Sequence, residues 1–135
     1  MTSDEGVPSA DGTMTLLIVD DDGPTRAVLR EQFAADSHFR LVAEAEDGAE
    51  AVEAARRTRP DVVLMDISMP RMDGLTAAPL VHEASPGSCV VLATGIASNV
   101  ERTSAFPIIE KQIRFDVFRD DLLDAVHRIK AWKST

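Results

Sequence analysis

Residues 62–74, VVLMDISMPRMDG, form the stretch that decides the fold of this chain. The stretch opens with a short apolar run, reaches Asp66, and continues through Met-Pro and Asp-Gly pairs. A β-branched apolar run bounded by turn residues is typical of a buried strand, and an Asp-Gly pair before a periodic segment marks a helix start. We therefore predict a strand that ends at Asp66, then a loop, and then a helix over residues 75–84.

The same alternation extends in both directions along the chain. Apolar runs predict strands at 16–19, 39–45, 62–65, 89–92 and 106–109, and helix-period segments predict helices at 25–35, 49–57, 75–84 and 116–132. Continuous apolar strands separated by helices indicate a parallel sheet that is covered on both faces. The predicted fold class is α/β, a doubly wound five-stranded parallel sheet. Ligands of such sheets bind beyond the carboxyl ends of the strands.

Length and charge restrict the organisation and the partners. The 135 residues suit one domain, with residues 1–13 as a disordered tail, because they are polar and rich in breakers, and residues 14–135 as the folded part. The net charge of −9 argues against direct binding of nucleic acid. No apolar stretch approaches the roughly 18 residues that span a bilayer, and no signal peptide is evident. We expect a cytoplasmic protein that does not enter a membrane.

The predicted strand ends carry a distinctive set of polar side chains. Asp20 and Asp21 follow the first strand, Asp66 the third, Thr94 the fourth and Lys111 the fifth. Neighbouring carboxylates in a partly desolvated cleft repel one another, so such a site requires a cation. Carboxylate oxygens suit Mg²⁺ or Mn²⁺. We interpret the next acidic residue along the chain, Asp22, as a solvated turn or helix-cap residue.

These motifs resemble the receiver domain of two-component response regulators. The resemblance rests on LIVDDD at 17–22, VLMDISMPRMDG at 63–74 and LATG at 92–95, and it covers the chain from about residue 15 onward. It implies a flavodoxin-like receiver fold in which the side chain of Asp66 accepts a phosphoryl group. It also implies that Mg²⁺ or Mn²⁺ is held by Asp20, Asp21, Asp66 and the backbone carbonyl of Ser68.

Two further roles follow from the resemblance. Thr94 matches the switch hydroxyl that turns toward the phosphoryl oxygens, and Lys111 matches the lysine that pairs with the phosphoryl group. Independently of the resemblance, Lys111 is the one lysine of three that follows an apolar strand, while Lys130 and Lys133 lie at the end of the last predicted helix.

The sequence departs from the family between the fourth and fifth strands. The segment between Thr94 and Lys111 is shorter than in a typical receiver, and residues 96–105 contain few apolar side chains. We therefore predict a shortened or poorly formed fourth helix. Ile108 stands where the family usually has a rotating aromatic, and Gln112 follows Lys111 in place of a proline. The residues that the resemblance assigns to phosphorylation and metal binding are present. The aromatic side chain that usually couples to the switch hydroxyl, here Thr94, is absent.

We hypothesise a single-domain response regulator that is phosphorylated on Asp66 in a Mg²⁺-dependent step. The donor would be a sensor histidine kinase or a phosphotransfer protein, and the output would be contact with an unknown protein target. The chain would assist its own phosphorylation and dephosphorylation rather than act as an enzyme. A receiver-fold interaction module that works without phosphorylation is the alternative. A phosphoaspartyl hydrolase is disfavoured, because Ser68 stands where such enzymes have a catalytic aspartate.

Overall fold

The computed structural model of the chain describes residues 12–95 and 105–134. Its strands are β1 (Met14–Val19), β2 (Phe39–Ala45), β3 (Val62–Asp66), β4 (Cys89–Thr94) and β5 (Ile108–Glu110). Its helices are α1 (Gly23–Ala34), α2 (Gly48–Thr58), α3 (Gly74–Ala84) and α4 (Phe115–Ser134). Within these ranges, no helix combines the length and the apolar character that crossing a membrane demands.

The five strands form one sheet in the order β2-β1-β3-β4-β5, and all four neighbouring pairs are parallel. Side chains of β1, β3 and β4 alternate between two buried clusters, one shared with α2 and α3 and the other with α1 and α4. Burial on both faces explains why these strands are almost continuously apolar. The predicted α/β, doubly wound fold is confirmed.

Several predicted boundaries shift when the structure is known. Helix α1 begins at Gly23 rather than at residue 25, because the Asp22 carboxylate caps it by accepting the backbone N–H of Thr25. Val28, an apolar residue of this helix, is 55% exposed. Strand β5 covers residues 108–110 rather than 106–109, since Pro107 has no N–H to donate, although its carbonyl accepts a bond from Leu92.

Two sequence predictions concern segments that are largely outside the described residues. The predicted tail at residues 1–13 enters the structure only with residues 12 and 13, and the predicted shortened fourth helix at 96–105 only with Ala105. Both therefore stay predictions. The chain enters the sheet at Met14, whose backbone N–H donates to the carbonyl of His38.

The loop from β3 to α3 packs tightly against the end of its own strand. The N–H of Gly74 donates to the carbonyl of Ile67 at 2.8 Å. A Cβ atom at Gly74 would lie 2.9 Å from the Cα of Ile67 and would also overlap the backbone carbonyl of Asp66. Only glycine allows this approach, and the approach fixes the direction in which the backbone leaves Asp66.

Substituting Gly74→Ala should destabilise the fold by about 1–3 kcal/mol, because the added methyl group meets backbone rather than a movable side chain. Urea unfolding measures the change. Gly87→Ala is the matched control, since a Cβ there meets nothing within 4 Å. Equal stability of the two variants would contradict the close approach described for Gly74.

Candidate functional site

The carboxyl edge of the sheet gathers the polar residues predicted from the strand ends. Asp20 follows β1, Asp66 closes β3, and Lys111 follows β5. Thr94 closes β4, and its carbonyl accepts the backbone N–H of Lys111 at 2.8 Å. Because β1, β3, β4 and β5 are successive neighbours in the sheet, residues distant in sequence reach one edge.

Three carboxylates converge at this edge. One oxygen each from Asp20, Asp21 and Asp66 lies within 4.8 Å of the others. Asp20 is 2% exposed and Asp66 is 8% exposed, whereas Asp21 faces solvent. The arrangement brings negative charge into a largely desolvated place, where repulsion is strong and poorly screened.

Lys111 provides a positive charge to this group. Its Nζ lies 3.3 Å from Oδ2 of Asp20 and 3.4 Å from Oδ1 of Asp66. Burial lowers the pKa of the Lys111 ammonium, but attraction to Asp66 and Asp20 outweighs burial and leaves the pKa above its usual value. The ammonium is therefore charged at neutral pH and bridges the two buried carboxylates.

The carboxyl group of Asp66 is harder to ionise than an ordinary aspartate. Burial is the main cause, and the charge of Asp20 adds to it. The Lys111 ammonium and the Ser68 N–H, which donates to Oδ1 of Asp66 at 3.3 Å, act in the opposite direction. Burial and repulsion prevail, so the pKa of Asp66 is raised.

The donor set fits a hard divalent cation. Among the described residues, one ammonium, that of Lys111, faces three carboxylates, so the ionised cluster keeps an excess of negative charge. Carboxylate oxygens are ligands that Mg²⁺ accepts, and the solvent-facing Asp21 leaves this edge open to the waters that Mg²⁺ usually keeps. Asp20, Asp21 and Asp66 would hold the ion; the role of the Ser68 carbonyl stays a prediction.

The other predicted residues lie around the cluster. Asp22 is exposed, and hydrogen bonds from the side chain and backbone of Thr25 lower the pKa of its carboxyl group, which fits the predicted cap. Thr94 lies at the same edge and lines a neighbouring cavity of about 300 Å³ together with Ile108 and Glu110. Its role as a switch hydroxyl stays a prediction.

Sequence reasoning missed two features of this edge. Arg26 of α1 donates from Nη1 to the backbone carbonyl of Asp20 at 2.7 Å. An apolar cavity of about 360 Å³ opens between α1 and the start of α4, lined by Asp20, Asp66 and Lys111 at one end and bordered by the exposed Val28 and Ile113. Neither has a signal in a single sequence, because each depends on how α1 lies across the sheet.

Comparison with known proteins agrees with the geometry. Residues 16–122 match the response regulator receiver domain family. A protein-glutamate methylesterase/protein-glutamine glutaminase of Myxococcus xanthus is 37% identical over 106 residues, which are 74% of this chain and 30% of that protein. The chain therefore spans less than a third of this curated relative.

Two solved structures illustrate the similarity of fold. The response regulator domain of Thermotoga maritima CheB is 26% identical with a TM-score of 0.70, over 86% of this chain and 95% of that one. The receiver domain of the sensor histidine kinase PA1611 from Pseudomonas aeruginosa, described with a magnesium ion coordinated in its active site cleft, is 21% identical with a TM-score of 0.71. The match covers 85% of this chain and 98% of that domain.

The raised pKa of Asp66 predicts a pH-dependent effect of Asp66→Asn on stability. A carboxyl group whose pKa is higher in the folded state binds more protons when folded, so its contribution to stability falls as pH rises above about 4, the ordinary aspartate value. Without divalent cations, Asp66→Asn should be more stable than the wild type at pH 7, and the gap should shrink toward pH 4. Urea unfolding across this range measures it.

The control is Asp124→Asn, which removes the same charge from an exposed position on α4. A stability gap for Asp66→Asn that stayed constant or widened on acidification would contradict the assigned direction.

Proposed function

Because the chain belongs to the response regulator receiver domain family, we propose that Asp66 is its phosphoacceptor, phosphorylated in a step that depends on Mg²⁺ or Mn²⁺. One observation carries this proposal: an oxygen of Asp66 lies 3.4 Å from the Lys111 ammonium, and the Asp66 carboxylate has an oxygen within 4.8 Å of an oxygen of each of the other two carboxylates. An aspartate held at a strand end with a cation beside it is the type of nucleophile that forms aspartyl phosphates.

The chain's own residues supply most of what the transfer requires. An oxygen of Asp66 attacks phosphorus, the new P–O bond forms as the P–N bond of a phosphohistidine breaks, and the departing imidazole keeps the electron pair. Lys111 stays within reach of the phosphoryl oxygens and balances their charge. When bound, Mg²⁺ would offset the negative charge of the transferring phosphoryl group and of the carboxylates that hold the ion.

Phosphorylation would change the balance of charges at this edge. A phosphoryl group adds a charge of about −1.5 to −2. The ammonium of Lys111 and the hydroxyl of Thr94 are the groups that would interact with its oxygens. Since Ile108 stands where the family usually has an aromatic, we propose that the change passes to the surface through Thr94 rather than through a rotating ring. Signalling further requires a protein target that binds one of the two states more tightly.

The donor in this proposal is a sensor histidine kinase or a phosphotransfer protein in the cytoplasm, and the target is another protein. The chain assists its own phosphorylation and hydrolysis and does not turn over a separate substrate. The residues of the acidic edge support this role. The ester hydrolysis in the name of the methylesterase relative is a property of that protein, of which the match covers only 30%.

The test is intact-mass analysis after incubation with phosphoramidate, a small donor with a P–N bond, in the presence and absence of Mg²⁺. The wild type should gain one phosphoryl group only with Mg²⁺, and Asp66→Asn should gain none. Asp22→Asn is the matched control, because asparagine also caps helices and Asp22 lies outside the cluster. It should be phosphorylated like the wild type.

Phosphorylation of Asp66→Asn at the wild-type rate would contradict the assignment of the acceptor. A wild type that neither binds Mg²⁺ nor gains a phosphoryl group would favour the interaction module that works without phosphorylation.

A further inference from the structure

We infer that Arg26 is a positioning residue that holds the Asp20–Asp21 pair in the geometry required for a divalent cation, an inference that rests on the proposed function. Arg26 touches neither the cluster's carboxylates nor the acceptor oxygen in any described contact. It acts on the backbone from which the two metal ligands project.

The backbone around Asp20 is fixed from several sides. The backbone N–H of Asp20 donates to the carbonyl of Ala45 at 3.0 Å, and the Asp20 carboxylate accepts the backbone N–H of Asp22 at 2.9 Å. Its carbonyl accepts the guanidinium of Arg26 at 2.7 Å. This carbonyl belongs to the peptide that joins Asp20 to Asp21, so the charge-assisted bond from Arg26 orients both residues at once.

Arg26 is itself held by a partner on the sheet. Its Nε lies 3.4 Å from Oε1 of Glu44, a residue of β2 that is in register with Ile18 of β1. Arg30, one turn further along α1, donates two hydrogen bonds to the same carboxylate, at 2.6 and 2.9 Å. Hydrogen bonding from Arg30 outweighs burial and lowers the pKa of Glu44, which therefore stays ionised as an anchor.

The charge of Arg26 and its positioning role have opposite effects on the affinity for Mg²⁺. A guanidinium near a cation site opposes cation binding by Coulomb repulsion, so a variant that merely lost this charge would bind Mg²⁺ more tightly. If Arg26 instead positions the two ligands, its loss weakens Mg²⁺ binding in spite of the reduced repulsion. The direction of the change separates a positioning role from a purely electrostatic one.

The experiment is calorimetric titration of the full chain with Mg²⁺ at constant ionic strength. Arg26→Lys keeps the charge but lacks the planar fork that reaches the Asp20 carbonyl and Glu44 together, so its affinity should fall about tenfold, as for other partners of metal ligands. Arg26→Gln should also bind more weakly than the wild type. Arg40→Gln removes one charge from an exposed residue at the opposite end of β2 and should keep the wild-type affinity.

Glu44→Gln provides an independent variant should the Arg26 variants not fold. It should weaken Mg²⁺ binding more than Glu31→Gln, which removes an equal charge from an exposed position on α1. Where Arg26→Lys folds, the double variant should bind no more weakly than the weaker single variant, because both act through one contact. Wild-type affinity in Arg26→Lys, or tighter binding by Arg26→Gln, would overturn the inference. Absence of Mg²⁺ binding by the wild type would instead contradict the proposed function on which the inference rests.

Discussion

Repulsion among three carboxylates at the carboxyl edge of the sheet is the constraint to which the neighbouring structure responds. Asp20 and Asp66 are almost completely buried, and an oxygen of each lies within 4.8 Å of the other and of Asp21. Burial of like charges is unfavourable, and Lys111 offsets only part of it. The remaining excess of negative charge suits this edge to a divalent cation, which in the proposed function lets an anionic phosphoryl group approach.

Close backbone contacts hold these groups in place despite their repulsion. Gly74 lets the loop after β3 approach the backbone of Asp66, and Arg26 fixes the peptide between the other two aspartates. Both contacts act on backbone atoms rather than on the carboxylates. Neither contact uses a carboxylate oxygen, and both restrain the backbone that presents those oxygens, as expected for ligands of a metal that tolerates little distortion.

Periodicity and strand-end residues were sufficient to predict the five parallel strands and the residues that meet at the edge. Strands that are buried on both faces must be apolar throughout, so an aspartate at the end of such a run is recognisable in the sequence. Boundaries were harder to predict, because the sequence allowed Asp22 to be either a turn residue or the cap that starts α1, and because the start of β5 depends on the missing N–H of Pro107. The positioning role of Arg26 could not be predicted, since an arginine on a polar helix face is common. Its partner, Glu44, lies on β2, a separate element of the chain.

The most direct measurement is the effect of Mg²⁺ on the free energy of unfolding, compared between the wild type and Asp20→Asn. A ligand that binds only the folded state stabilises it by about 1.4 kcal/mol at ten times its dissociation constant. We expect this gain for the wild type, a clearly smaller gain for Asp20→Asn, and none when Na⁺ of equal ionic strength replaces Mg²⁺. An equal response of both proteins to Mg²⁺, or no response of the wild type, would contradict the claim that the acidic edge is a divalent-cation site.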